Sequence, residues 1–342
     1  MVGRTRGYVT TPGQILADLF KEAGYPVISS SSHLNRYLRL ADIVSVLFRE
    51  RRHIDILLLN VYSGLSFVVE DIASRIAQHF DCPMIMYLHG GAMPEFMESF
   101  PRWSSRVLKR ADFLIAPSEF LVRALSQHGL QARIIPNVIE LEAYPFRKRS
   151  QLRPRLFWMR SFHSIYNPEM ALRVLARLRM KFPDATLVMA GQDKGLLGAM
   201  KRLARELGVE EALRFPGFLD PAAKVCEYAA ADIFINTNRI DNMPVAVLEA
   251  GAMGLPIVST KVGGITDLLT DGQTGLIVPD GDAEAMAQAI AHLIADPQLA
   301  ERISENGRKL VERCSWACVR PQWENLFEEL MAKHNKQKKE RV

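Results

Sequence analysis

The residues best suited to hold a ligand lie between Asn238 and Asp267. Asp241 precedes Glu249 by eight positions, with Pro244 between them; Gly263 and Gly264 stand just before Asp267. Asp232-Ile-Phe-Ile-Asn236 reads as a strand, Val245 to Met253 as a short apolar helix, and Pro256-Ile-Val-Ser259 as a second buried strand. Two strand–loop–helix units therefore stand back to back, each with a polar loop at the carboxyl end of a strand, where open α/β sheets bind ligands. The chemistry suits an anionic nucleotide. Pro244 fits a first helical turn, where its missing N–H costs nothing. Free amides there and at Gly263-Gly264 point above the sheet, and each helix start carries about half a positive charge. Glu249 lies about one and a half turns into its helix, where two carboxylate oxygens can accept two vicinal ribose hydroxyls.

Other candidates sit at strand ends. His89 closes Met84-Ile-Met-Tyr-Leu-His89 and is followed by Gly90-Gly91, which let a ligand approach the backbone. Arg160 follows the run Leu156-Phe-Trp-Met159, and its guanidinium can grip a diphosphate through two parallel hydrogen bonds. Gly191 opens a Gly-Gln-Asp-Lys-Gly turn, and Gly217 lies in Phe215-Pro-Gly-Phe218. Ser118 and Asn137 end two further strands; helix capping and turn formation explain them equally well.

The elements that must position these residues alternate along the chain. The first half reads as helix Ile15 to Ala23, strand Tyr25 to Ser29, helix His33 to Arg51 and strand Ile54 to Asn60. It continues with helix Leu65 to Phe80, strand Met84 to His89, helix Arg102 to Arg110, strand Phe113 to Ser118 and strand Ala132 to Asn137. Glu140 to Arg155 is charged, proline-bearing and aperiodic, and reads as a linker. From Leu156 the alternation restarts and runs to two helices, Ala283 to Ile294 and Pro297 to Val311. A last helix from Trp316 to about Ala332 has an apolar face of Val319, Trp323, Leu326 and Leu330, and Pro321 either kinks it or marks its start. Such alternation builds doubly wound parallel sheets with right-handed crossovers.

The segment around Asp241 and Glu249 resembles the donor-binding segment of retaining GT-B glycosyltransferases of glycosyltransferase family 4. Their pattern is Glu-x7-Glu, a Gly-rich turn, a strand opened by Pro and a Gly-Gly-x-x-Glu turn. Here Asp241 and Asp267 replace the outer two acids, and Glu249 keeps the middle one. The resemblance implies an α/β fold of two Rossmann-like parallel-sheet domains facing a cleft, with the C-terminal helix crossing back to the N-terminal domain. The expected domains are 1–152 for the acceptor, 153–318 for the nucleotide sugar, and 319–342 for the crossing helix and basic tail. By resemblance, His89, Asp241 and Arg160 are catalytic. Glu249, Gly263, Gly264, Asp267, Gly191, Gly217 and Gly13 are donor-binding, Gly13 standing near the family's Gly-rich phosphate turn. Met1-Val-Gly3 is too short for the strand expected before that turn, so the expectation is either that most of the strand is clipped or that Val2 starts a short strand completed by residues upstream. The family's Arg is followed five residues later by a diphosphate-binding Lys. Here that position is Ile165, so either His163 or Lys194 supplies the second positive group or the nucleotide binds more weakly.

Composition bounds the rest. A chain of 342 residues predicts two domains. Its 48% hydrophobic and 24% charged residues are those of a globular protein. No window is apolar enough for a membrane span, and the N-terminus lacks a signal-peptide core, so a cytoplasmic protein is expected. The net charge of +5 suits a phosphorylated donor or peripheral contact with an anionic membrane through the basic tail Lys333 to Val342. It does not argue for nucleic acid. Cys82, Cys226, Cys314 and Cys318 lack metal-site spacing and read as buried thiols. No nucleophile elbow, metal-binding Asp-x-Asp in context or dinucleotide fingerprint is present.

The function expected from the resemblance is metal-independent transfer of a sugar from a nucleotide diphosphate sugar to a saccharide or lipid-linked acceptor, with retention of configuration. The donor is a substrate, and no cofactor is expected. The alternative is a non-catalytic nucleotide-sugar-binding or scaffold protein of the same fold.

Overall fold

The computed structural model describes residues 10–31, 33 and 35–341. Its first elements are α1 (Pro12–Glu22), α2 (Arg36–Glu50), β1 (Leu57–Val61), α3 (Phe67–His79), β2 (Met84–Leu88), α4 (Met93–Ser99), α5 (Pro101–Leu108), β3 (Phe113–Ala116), α6 (Glu119–Gln127) and β4 (Ala132–Ile134). There follow β5 (Arg155–Met159), α7 (Pro168–Lys181), β6 (Thr186–Ala190), α8 (Leu197–Glu206), β7 (Leu213–Gly217), α9 (Pro221–Ala230) and β8 (Ile233–Asn236). The last are α10 (Val245–Ala252), β9 (Ile257–Thr260), α11 (Ile265–Leu268), β10 (Leu276–Val278), α12 (Ala283–Ala295), α13 (Pro297–Glu312) and α14 (Trp316–Arg341). The chain packs as two compact units. Residues up to Val138 join those from Trp316 onward, and Ile139–Ser315 form the other.

The first unit is built on a parallel sheet of order β1-β2-β3-β4. Every residue of Met84-Ile-Met-Tyr-Leu88 is buried, as a central parallel strand covered on both faces requires. Its alternation divides the core. Met84, Met86 and Leu88 pack with Phe67, Val107 and Leu121, whereas Ile85 and Tyr87 pack with Leu16, Phe20, Ile115 and Trp323. The C-terminal helix α14 therefore belongs to this unit. Val319, Leu326 and Leu330 are buried with Trp323, each such aliphatic side chain contributing roughly 1.5–3 kcal/mol. The helix continues through Pro321, which forfeits one bond to the Ala317 carbonyl.

Three local expectations change here. Tyr25 to Ser29 is not a strand: Pro26 has no N–H to give a ladder, Ile28 is exposed, and Tyr25 Oη instead donates to Glu324 at 2.8 Å. Helix α1 starts earlier than Ile15, because Thr11 caps it by accepting the Gln14 N–H and Pro12 occupies its first turn. Helix α4 was hidden by Gly90, Gly91 and Pro94, yet Pro94 falls in the first turn, where it is tolerated. The expectation of a clipped first strand lies outside the described residues.

The second unit holds a six-stranded parallel sheet of order β10-β9-β8-β5-β6-β7. The chain enters at the middle with β5, builds outward to β7, then returns to the other side of β5 with β8. The carboxyl ends of β5 and β8 thus flank a topological switch point. The segment expected to be a linker is part of this unit. Tyr144 is buried in its core, and Arg149 is 3% exposed. Arg149 donates to the Arg147, Met253, Tyr228 and Ala231 carbonyls, which include the C-terminal ends of α9 and α10. The unit boundaries accordingly fall at Val138/Ile139 and Ser315/Trp316, where the sequence had suggested 152 and 318. The cysteines are free, but Cys226 and Cys318 are exposed rather than buried.

Candidate functional site

Arg160 lies immediately after β5, and its Nη2 donates to Asp241 Oδ2 at 2.9 Å, in the loop after β8. Asn238 Nδ2 donates to the same oxygen, and the Asn242 N–H to Asp241 Oδ1 at 2.8 Å. The Arg160 guanidinium also lies over the Tyr166 ring, 5.4 Å from its centroid. Among the described residues its buried Nε has no hydrogen-bond partner, and neither has the buried Asn238 Oδ1. One carboxylate and one guanidinium are thus fixed across the switch point, with donor and acceptor capacity left over.

Gly263 and Gly264 hold the neighbouring loop against this one. A Cβ on Gly263 would lie 2.0 Å from the Asp241 carbonyl oxygen, and one on Gly264 2.2 Å from that of Asn242. The Gly264 N–H donates to the Asp241 carbonyl at 3.0 Å. The sequence reading left both glycine amides open. Close packing of the two loops consumes that of Gly264, while that of Gly263 has no partner among the described residues. Asp267, in α11, is exposed. Gly191 is likewise a point of close approach: a Cβ there would be 1.9 Å from the Arg160 carbonyl oxygen, and its N–H donates to the Gly217 carbonyl at 2.8 Å. Of the two groups suggested for a second positive charge, His163 uses Nδ1 to accept the Ile165 N–H, and Lys194 already has a partner.

Glu249 lies in α10 and is 3% exposed. Its Oε1 accepts from Tyr144 Oη at 2.8 Å and from Lys224 Nζ; its Oε2 accepts from Tyr228 Oη at 3.0 Å. The sequence suggested a carboxylate open to two hydroxyls. Of its roughly four lone-pair sites, three are filled by protein donors. Burial, reinforced by the Glu249 charge, pushes the Tyr144 and Tyr228 hydroxyls far up, so both remain donors. The Arg160 charge acts on Tyr228 in the opposite sense, which links this cluster to the switch point. Tyr144, Lys224 and Tyr228 escaped the sequence reading. A signal existed for two of them, since Lys224 and Tyr228 are four apart on α9 and share a face.

In the first unit His89 follows β2 and is 4% exposed. Its Nε2 meets Asn60 Oδ1 at 2.8 Å, and its ring lies between Tyr62 and Tyr87, with centroids 5.1 and 4.2 Å away. Burial pushes the imidazole down to about 3, so it is neutral near pH 7. Facing an amide oxygen, Nε2 carries the proton, which leaves Nδ1 as an acceptor. Gly13 sits in the first turn of α1, where a Cβ would lie 2.3 Å from Asn60 Oδ1. Glu70, 6% exposed in α3, has an Oε2 without a hydrogen-bond partner among the described residues, and burial pushes its carboxyl up to about 8. Ser118 accepts the Leu121 N–H as a helix cap, and Asn137 Oδ1 accepts from Tyr87 Oη at 3.0 Å.

Residues 8–143 match the model described as Glycosyltransferase Family 4, and residues 147–310 match Glycosyl transferases group 1. The chain belongs to this family of glycosyltransferases. Over 173 residues it is 30% identical to D-inositol 3-phosphate glycosyltransferase of Corynebacterium glutamicum, a match covering 49% of this chain and 41% of that one. Glycogen synthase of Mycobacterium tuberculosis is 26% identical over 281 residues, 76% of this chain and 66% of that one. The chain thus spans about two fifths of the first of these relatives. Among solved structures, sucrose-phosphate synthase from Thermosynechococcus elongatus superposes with a TM-score of 0.77 at 19% identity, covering 94% of this chain and 93% of that one. Anabaena HepE in complex with UDP gives 0.74 at 18% identity, covering 91% and 88%. The fold of this glycosyltransferase is GT-B, with two parallel-sheet α/β units. No helix among the described residues is long and apolar enough to cross a membrane.

Proposed function

We propose that this family 4 glycosyltransferase transfers a hexosyl group from a nucleotide diphosphate sugar to a saccharide or lipid-linked acceptor, with retention and without a metal ion. The observation that carries this reading is the Arg160–Asp241 pair across the switch point of the second unit, beside the unpartnered Gly263 amide. Arg160 binds the diphosphate and stabilises the charge that builds on it as the glycosidic bond breaks. Glu249 takes a ribose hydroxyl on the lone-pair site of Oε2 that the protein leaves open. Asp241 and Asp267 accept sugar hydroxyls, and the backbone at Gly191 and Gly217 borders the base. In the first unit, His89 carries a neutral Nδ1 that can accept a hydroxyl hydrogen.

The reaction balances without a co-reactant. The acceptor oxygen bonds to the anomeric carbon on the face the phosphate leaves. The bond from that carbon to the phosphate oxygen breaks, and the acceptor proton passes to the departing phosphate. Peripheral attachment to an anionic membrane fits the basic C-terminal end of α14, which carries Lys336, Lys338 and Lys339.

Titration calorimetry across UDP- and GDP-sugars, comparing the wild type with Glu249→Ala, tests the donor site. Affinity unchanged by the substitution removes the ribose assignment. Release of nucleotide in the presence of acceptor separates transfer from mere binding: a protein that binds donor yet releases none is the non-catalytic alternative.

A further inference from the structure

A diphosphate carries more negative charge than one guanidinium offsets, and that of Arg160 is already shared with Asp241. The position at which a second cation is expected holds Ile165, His163 spends Nδ1 on the backbone, and Lys194 is engaged. Lys224 is held by Glu249, and Lys261 is tied through its N–H to Val278 of β10, on the side of β9 away from β5. Arg239 differs from all of these. Its N–H donates to the Ile165 carbonyl at 2.8 Å, so the residue lies directly on the segment that lacks a cation. Its side chain is exposed, and among the described residues its guanidinium makes one hydrogen bond, to Asn167 Oδ1 at 3.4 Å, the long limit of such a bond. It pairs with no carboxylate among the described residues. Two positions along the same loop, Asp241 turns toward Arg160.

We infer that Arg239 is the second cation of this site and binds the terminal phosphate of the donor's diphosphate. The loop after β8 then does two jobs: Asp241 orients Arg160, and Arg239 replaces the positive charge missing at Ile165. An exposed guanidinium with weak existing contacts can turn both of its terminal nitrogens to phosphate oxygens with little to give up. This rests on the reading that the second unit binds a nucleotide diphosphate sugar.

The test measures calorimetric affinities of the full chain for UDP, GDP and ADP and for the matching monophosphates. For the nucleotide that binds, Arg239→Gln is expected to weaken the diphosphate by about 10- to 100-fold and the monophosphate by less than about threefold. Arg239→Lys is expected to recover part of the loss. Monophosphate binding also reports that the variant is folded. An unchanged diphosphate-to-monophosphate ratio, whether neither or both affinities fall, overturns the inference and leaves the donor-site reading standing. A wild type that binds none of the three diphosphates removes that reading and this inference with it.

Discussion

Arg160 Nη2 sits 2.9 Å from Asp241 Oδ2, a contact between residues brought together only by the reversal of strand order between β5 and β8. In the proposed site the Asp241 carboxylate competes with phosphate for the Arg160 guanidinium. Asp241→Asn therefore separates binding from transfer. Nucleoside diphosphate affinity should rise severalfold, because a competing charge is gone, while transfer falls by about 100-fold or more if Asp241 also holds the sugar. Parallel calorimetry and initial rates check this; a fall in both sinks the idea.

Lys224 and Glu249 form a partly buried ion pair, with side chains 21% and 4% exposed. Lys224→Met leaves a carboxylate served by two phenols alone and should lower unfolding free energy by roughly 3 kcal/mol. The double variant Lys224→Met/Glu249→Met should recover most of that loss, since the stranded charge goes too. Urea unfolding of the four proteins in the cycle gives the coupling, and simple additivity would refute it.

His89 and Glu70 set opposing pH dependences. His89 is lowered from 6.5 to about 3, so the unfolded chain binds the extra proton between those values and stability falls as pH drops through that window. Glu70 is raised from 4.5 to about 8, so the folded chain binds the extra proton and stability falls as pH rises from 4.5 to 8. Between pH 4.5 and 6.5 the two slopes, each at most about 1.4 kcal/mol per pH unit, cancel. A stability plateau there, falling on both sides, is expected in urea midpoints against pH. Glu70→Gln should remove the decline between pH 6.5 and 8, and His89→Gln the decline below 4.5.

Gly264→Ala forces a Cβ to 2.2 Å from the Asn242 carbonyl and should cost about 1–3 kcal/mol while weakening nucleotide binding. Gly198→Ala is the control. Its Cβ meets nothing nearer than Arg202 at 3.8 Å in the first turn of α8, so it should stabilise the fold by less than about 1 kcal/mol. Thermal unfolding decides between loop packing and helix propensity.

Arg149→Met deprives four carbonyls, those of Arg147, Tyr228, Ala231 and Met253, of a shared buried donor. A loss of about 3 kcal/mol is expected, with faster proteolysis between Glu140 and Leu152 than elsewhere. Equal protection of that segment in variant and wild type would count against its anchoring role.

Much of the fold was legible because its signals are local. The run Met84–Leu88 is apolar throughout, and only a strand covered on both faces uses such a run. The positions of Pro244 and Gly263-Gly264 were legible for the same reason, since each marks a turn or a helix start. Tyr25 to Ser29 misled because β propensity says nothing about whether a neighbouring strand is there to pair with. The segment from Glu140 to Leu152 misled because charge looks like solvent exposure in one dimension, while Arg149 is buried against carbonyls more than seventy positions away.

By itself the sequence determined the alternation of strands and helices and the register of acids, prolines and glycines around Glu249. These depend on spacing within one or two turns of chain. Tertiary structure alone decided that Tyr144, 105 positions from Glu249, shares its carboxylate with Lys224 and Tyr228, and that Arg239 rests on Ile165. A hydrogen bond depends on distance in space, and only the packed sheet order makes such distant positions neighbours.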